Sequence, residues 1–386
     1  MRAARLPGAR QHAGRDSATV WLRGLRVGLA ERCENEDREK DGAETLGSFH
    51  GGGIIIWDRG RTAKANDFDL RNKKPDDHVY LCSEKRVNKP VEAGSASVIP
   101  RVFYGENEVR SGWRLLVFMA MVTGAISLEN LLVGRLLSAA DGATRFLIRE
   151  VADFVIFLLA SWIMGRLEGR TIGDYGLPGS KMFRGQFWQG AAAGFASITV
   201  LLAAMRAAGV FYFGSVGLHG TAVWMWAGIY ALVFTLVALR EEFRARGYAL
   251  YTLAAGIGYW PAAIISAAYF GYSHHGNTGE DWIGLFNAGL YGLLACFLLR
   301  RSGNLWLPIG FHMAFDWGES YFYGVADSGQ SVPGHLLNPS SAGPAWLSGG
   351  TVGPEGSVLC TAMIVVVWLV LAQLMREVKY PKLVAV

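Results

Sequence analysis

The chain has 386 residues, of which 51% are hydrophobic, 12% aromatic and 18% charged, with a formal net charge of +5. Residues 1–100 hold 18 Lys/Arg and 15 Asp/Glu, whereas the remaining 286 residues hold 19 and 17, only about 13% charged. Soluble domains carry about a quarter charged residues, so the larger part of the chain is not a soluble domain, and no basic face of the kind nucleic acid requires is present.

In chain order, residues 1–100 come first. They are polar and aperiodic, with Gly51, Gly52 and Gly53 beside a short IIIW run, and they lack a signal-peptide core near Met1. The expectation is a largely disordered cytoplasmic extension. Much of it is expected to lie outside the functional unit, 101–386, although no Met falls between Met1 and Met119, so that a later start would have to use a non-Met codon such as that of Val98. Cys33, Cys82, Cys296 and Cys360 lie far apart with no CxxC spacing, so neither a disulfide scaffold nor a zinc ribbon is indicated.

From residue 113 onward apolar runs alternate with short charged or Gly-rich breaks. Eight runs come close to the roughly 20 residues a helix needs to cross a bilayer: 113–134, 146–165, 187–208, 222–249, 258–276, 282–300, 304–324 and 357–375. The second is the least apolar, with Arg149, Glu150 and Asp153, and the last, SVLCTAMIVVVWLVLAQLM, is the cleanest. The fold class expected is therefore all-α, a polytopic bundle of about eight transmembrane helices enclosing a cavity. Gly190 and Gly194 form a GxxxG in the third run, a spacing that lets two helix backbones approach closely.

Basic residues in short loops stay on the cytoplasmic side. With the N-terminus inside, the inner breaks carry Arg166, Arg170, Lys181, Arg184, Arg240, Arg244, Arg246, Arg300, Arg301, Arg376, Lys379 and Lys382. The outer ones carry only Arg135, Arg145, Arg149 and Arg206. The reading is a multi-pass protein of the cell membrane with both termini cytoplasmic.

Ionisable side chains inside membrane spans are costly and mark function by default, and three places stand out. In LREEFRARGYAL, Glu242 and Arg246 are four apart and share a helix face, while Glu241 points about 100° away. One carboxylate can be held by the arginine while its neighbour stays free; the same pattern also fits a charged helix end. In AAYFGYSHHGN, His274 follows Phe270 by one turn, as a site residue or a packing histidine. In LPIGFHMAFDWGES, His312 and Asp316 share a face, as ligand and orienting acid or as a simple interhelical hydrogen bond. Together the three supply the parts of a buried hydrolytic site, in which a glutamate activates water and a histidine or metal polarises a carbonyl.

EExxxR at 241–246, FxxxH at 270–274 with Asn277 beyond, and HxxxD at 312–316 resemble the three motifs of the CPBP family, the CAAX prenyl protease 2-like or Abi group of integral membrane proteins. The motif core spans 220–325. The resemblance implies an intramembrane endopeptidase acting on a peptide or membrane-protein substrate in the lipid bilayer. It makes Glu241 the general base, with His274 binding or activating the water. It further implies that Arg246 orients Glu241 and Glu242, and that His312 and Asp316 complete a metal site or stabilise the oxyanion. A divalent metal, Zn2+ by ligand type, would be held by His274 and His312, although a metal-free Glu/His site fits the same residues. The family's third motif usually ends in Asn where Asp316 stands, and an ionised carboxylate cannot donate to an oxyanion as Asn can. Peptide leaders or other membrane proteins fit as substrates better than prenylated CAAX ends.

HExxH, GxGD and GxSG motifs are absent, which removes other intramembrane protease classes. A non-catalytic scaffold or immunity-type protein of the same family is the alternative, and a transporter would call for internal repeats that the sequence lacks. Residues 325–356 form a long Gly/Pro/Ser-rich loop without a basic residue, either a cap over the cavity or an irregular connector.

Overall fold

The computed structural model describes residues 109–380, apart from residue 139, and the backbone of four strands that precede them. Those strands are β1 (Val27–Leu29), β2 (Ile54–Asp58), β3 (Arg61–Lys64) and β4 (Val79–Ser83), in the order β1-β4-β2-β3. β1 runs parallel to β4, while β2 is antiparallel to both β3 and β4. The expectation of a disordered extension over 1–100 lies, these strands apart, outside the described residues. Residues 1–96 and 97–386 form separate units.

The second unit is mostly helical. Its longer helices are α1 (Ser111–Leu136), α2 (Gly142–Glu168), α3 (Gly185–Ala207), α4 (Thr221–Arg246), α5 (Tyr248–Ile257), α6 (Tyr259–Ser273), α7 (Trp282–Ser302), α8 (Trp306–Trp317) and α9 (Val358–Leu374). Each of the eight predicted runs overlaps one of these over most of its length, with α5 as an addition. Among the described residues, four segments are long and apolar enough to cross a membrane: Ser111–Leu136, Gly185–Ala207, Thr221–Ile257 and Trp282–Ser302. The helices of the other predicted spans fall short of that standard, so four of the eight expected spans have a helix that meets it. α2 carries Arg149, Glu150 and Asp153, and α6, at 15 residues, reaches only about 22 Å. A second small sheet, β5 (Phe211–Val216) antiparallel to β6 (Leu337–Ser341), further departs from an all-α fold. Its aromatic FYFGSV sequence suits a pleated strand.

Capping residues explain several helix ends. Asp141 accepts from Thr144 N, Asp281 from Ile283 N and Gly284 N, and Ser357 from Cys360 N, each satisfying N–H groups that a first helical turn leaves unpaired. Gly169 and Gly303 end α2 and α7 in the left-handed conformation, which glycine adopts without a Cβ penalty.

The distribution of side chains is that of a lipid-embedded protein. Leu128, Leu159, Trp188, Trp224, Leu232, Ile264, Phe286 and Leu369 are exposed, while Glu150, Glu242, Arg246, Asn287, His312, Asp316 and Glu319 are buried. Exposed apolar surface on this scale marks a membrane-facing exterior. Connecting segments sort into two ends. β5 pairs with β6, and Gly329 packs against the carbonyl of Thr278. At the opposite end Leu305 N bonds to Gly176 O and Lys379 N to Arg300 O.

α3 and α8 cross at backbone contact. A Cβ on Gly190 would overlap the Leu307 carbonyl, one on Gly194 the Phe311 carbonyl, and one on Gly310 the Phe187 carbonyl. The GxxxG spacing is thus matched by a glycine on the partner helix, and the crossing fixes α8 one residue before His312.

Candidate active site

Glu242 lies at the centre of a buried polar cluster. Its Oε1 is 3.1 Å from Arg246 Nη1, accepts from Tyr291 OH at 3.0 Å and lies 3.0 Å from His312 Nδ1. Glu242 and Arg246 both have side-chain exposures of 0%, so their charges depend on one another; removing one partner of such a pair leaves a buried charge uncompensated. Arg246 also stacks its guanidinium 4.2 Å from the Phe270 ring centroid, a geometry favourable for cation–π attraction.

Glu241 has a different environment. It is half-buried and lines the main cavity. Its Oε1 accepts from Arg240 Nη2 at 2.8 Å, and Arg240 is shared with Glu150 of α2. Its Oε2 faces His312 Nε2 at 3.8 Å. The two adjacent glutamates therefore divide as their 100° separation on α4 predicts: Glu242 is enclosed, with Arg246, Tyr291 and His312 all on Oε1, and Glu241 faces open space. The expectation that Arg246 orients both carboxylates is corrected, because Arg246 pairs with Glu242 and Arg240 holds Glu241.

His312 is gripped from both sides, with Nδ1 against Glu242 and Nε2 3.3 Å from Asp316 Oδ2. Tyr291 packs edge-on against its ring at a centroid distance of 5.2 Å. His274, at the C-cap of α6, is half-buried, and its Nδ1 lies 2.8 Å from Phe270 O. A carbonyl only accepts, so Nδ1 donates, and Nε2 of the neutral ring keeps its lone pair.

Glu241, His274, Asn277, Tyr291, His312 and Asp316 all line one cavity of about 790 Å³, whose apolar wall includes Trp226, Ile229, Tyr230 and Phe234. This volume lies within the range of ligand pockets. By span positions alone, His274 falls at a different depth from Glu241 and His312, which calls for span boundaries a turn or two off or for a fifth helix tilted or broken around Gly271. α6 instead runs unbroken to Ser273, three residues short of the predicted end, and Gly271 sits against the backbone of Leu285 and Gly289 in α7. The short helix ends beside the cavity, so His274 reaches it from a helix terminus.

Among the described residues, neither His274 nor His312 belongs to a group of three ligand side chains close enough to hold a metal ion; that proximity is found for Asp316, Glu319 and Asp327. His312 also has both ring nitrogens directed at carboxylates. The histidines as arranged do not fit a Zn2+ site, and no chemical step is routed through one.

Sequence reasoning missed Arg240, Tyr291 and Glu150 as members of this network. It also missed Glu319, which follows His312 and Asp316 at i+7 and i+3 on one helix face and so was visible as a pattern. Outside the helices, burial, together with the charges of Asp316 and Glu355, pushes the Asp327 carboxyl well above its ordinary value.

Residues 222–318, about a quarter of the chain, match a family described as type II CAAX prenyl endopeptidase Rce1-like. The matched segment begins in α4 and ends one residue past α8, so it contains all six predicted site residues and stops just before Glu319. It supports a membrane-embedded, protease-type function. Comparison with curated proteins and with solved structures gives no match.

Proposed function

We propose, from the Rce1-like domain at residues 222–318, that this protein is an intramembrane endopeptidase that hydrolyses peptide bonds with water activated by Glu241. The observation that carries this reading is the division of labour on α4. Glu242 is locked by Arg246, Tyr291 and His312, while Glu241 faces the cavity with one oxygen on Arg240 and the other toward His312.

In the proposed reaction a water molecule sits between Glu241 and the unprotonated Nε2 of His274, which accepts one of its hydrogens. Glu241 takes the other proton as the water oxygen bonds to the scissile carbonyl carbon, a general-base step that contributes typically 10²–10⁴-fold. The carbonyl oxygen gains negative charge, which the protonated His312 ring stabilises through its positive charge, both of its N–H groups being directed at carboxylates. Glu242 and Asp316 hold that ring in place and favour its charged form. The carbon–nitrogen bond then breaks, and the proton on Glu241 passes to the leaving amine. Asp316 serves as the acceptor that orients His312 and has no donor role toward the oxyanion. Arg246 and Tyr291 position Glu242.

The basic end of the bundle, with Arg166, Arg170, Lys181, Arg300 and Arg301, faces the cytoplasm in this reading, with both termini on that side. The substrate is a peptide or a membrane-protein segment that enters between helices; peptide leaders fit better than prenylated ends. Reconstitution in liposomes with a peptide library, with products identified by mass spectrometry, tests the reading. Discrete internal cleavage products are expected from the wild type and none from Glu241→Ala or His274→Ala. Equal cleavage by all three would refute it.

A further inference from the structure

A second group of carboxylates adjoins the candidate active site; it shares Asp316 with the chemistry above, while its other two members take no part in it. Asp316 ends the HxxxD motif on α8. Glu319 follows it in the wide π-type turn Gly318–Tyr323, and Asp327 comes from the loop beyond. One carboxylate oxygen from each lies within 4.8 Å of the others. Glu319 is 0% exposed, and neither of its carboxylate oxygens has a hydrogen-bond partner. Among the described residues no Lys, Arg or His lies within ion-pair distance of Glu319 or Asp327, and the nearest cationic group to the trio is His312 beside Asp316. Ser320 Oγ lies 3.5 Å from Asp327 Oδ2, adding a further oxygen at the edge of the group.

A buried carboxylate without hydrogen bonds is costly, and three that converge repel one another when ionised, so they are relieved either by taking up protons or by something of opposite charge standing among them. Glu319 provides the indication that a bare acidic cluster lacks, because it is fully enclosed, without a partner and aimed at the other two. We propose that Asp316, Glu319 and Asp327 form a binding site for one hard divalent cation of the Ca2+, Mg2+ or Mn2+ class. All the available ligands are oxygens, the preference of those ions, whereas Zn2+ sites draw on nitrogen and sulfur. The π-type turn supplies a physical reason for the geometry. It widens the helix one turn after Asp316, and such turns recur at functional sites; here it carries Glu319 on the face that Asp316 already occupies.

The ion ties the loop after α8 to the helix that carries His312. Asp327 lies only a few residues into that loop, whose far end brings Glu355 to the same cavity. The ion thus anchors the 325–356 segment over the cavity and fixes Asp316, which in turn orients His312. The site does not depend on the proposed peptidase activity, because it is defined by its own ligands, and Glu319 and Asp327 lie outside the Rce1-like segment.

The test uses the purified full-length protein in detergent with Mn2+ as the probe, followed by electron paramagnetic resonance and by thermal unfolding. Wild type is expected to bind one Mn2+ per chain saturably, with Ca2+ or Mg2+ competing and the unfolding temperature rising with ion concentration. Glu319→Gln and, independently, Asp327→Asn are expected to weaken Mn2+ binding at least tenfold, while His274→Ala leaves it unchanged. In chelator both carboxamide variants should unfold at or above the wild-type temperature, since each removes like-charge repulsion. Absence of saturable binding, binding unchanged in both carboxamide variants, or binding lost in His274→Ala but kept in Glu319→Gln would each overturn the site.

Discussion

Glu242 and His312 are 70 residues apart in the chain, and Glu242 Oε1 lies 3.0 Å from His312 Nδ1. That contact joins α4 to α8 and sets the orientation of the histidine ring whose other nitrogen faces Asp316 and Glu241. In the proposed mechanism it makes Glu242 a positioning residue and leaves Glu241 to act on the water.

Tyr291 shares the same carboxylate oxygen. A hydrogen bond to a charged group contributes about 1.5–3 kcal/mol, and each 1.4 kcal/mol is about tenfold in rate. Tyr291→Phe is therefore expected to lower kcat by about 10- to 100-fold with KM little changed, because the ring that packs on His312 is retained. Steady-state kinetics on a membrane-embedded peptide substrate checks this split.

The α3–α8 crossing leaves no room for a side chain at Gly194. Gly194→Val should destabilise the protein by about 1–3 kcal/mol through overpacking and also reduce cleavage, since it displaces α8 next to His312. Gly228→Ala is the matched control, because a Cβ there meets nothing within 4 Å. Thermal unfolding in detergent, read beside the cleavage rate, should separate the two variants.

Arg240 stands between Glu150 and Glu241, with side-chain exposures of 13%, 7% and 17%. Arg240→Leu strands two carboxylates and should cost about 3–5 kcal/mol, as loss of one partner from a buried pair does. Arg240→Leu combined with Glu150→Leu should recover part of that loss. A double-mutant cycle on unfolding free energies measures the coupling.

Much of this arrangement was legible in the sequence, for identifiable reasons. Each of the eight apolar runs became a helix because length and hydropathy act locally. The Glu242–Arg246 pair followed from i, i+4 spacing, and the Gly190/Gly194 contact from residue size. The count of spans was less legible, because apolar runs such as 258–276 contain helices that end early, at Ser273 here, where a capping histidine turns into the cavity. Arg240, Tyr291 and Glu150 were not legible, since their roles arise from contacts between helices distant in sequence. Asp327 was hidden in the same way, brought to Asp316 only by the path of a loop.

Because no step of the proposed mechanism uses a transition metal, 1,10-phenanthroline is expected to leave the cleavage rate within about twofold of its starting value. This chelator binds through nitrogen and prefers softer ions, so it spares a hard cation held by carboxylates. The rate of the reconstituted enzyme, before and after prolonged exposure, is the measurement. Loss of activity restored by Zn2+ alone would place a metal in the reaction.

The most direct test of the central claim is single-turnover cleavage of a membrane-embedded peptide by wild type and Glu241→Gln in the same liposomes. The substitution keeps the size of the side chain and its ability to accept from Arg240 but removes the base. A fall of at least 100-fold in the chemical step, with substrate binding and unfolding temperature unchanged, is the predicted result. Cleavage by Glu241→Gln at the wild-type rate would contradict the account.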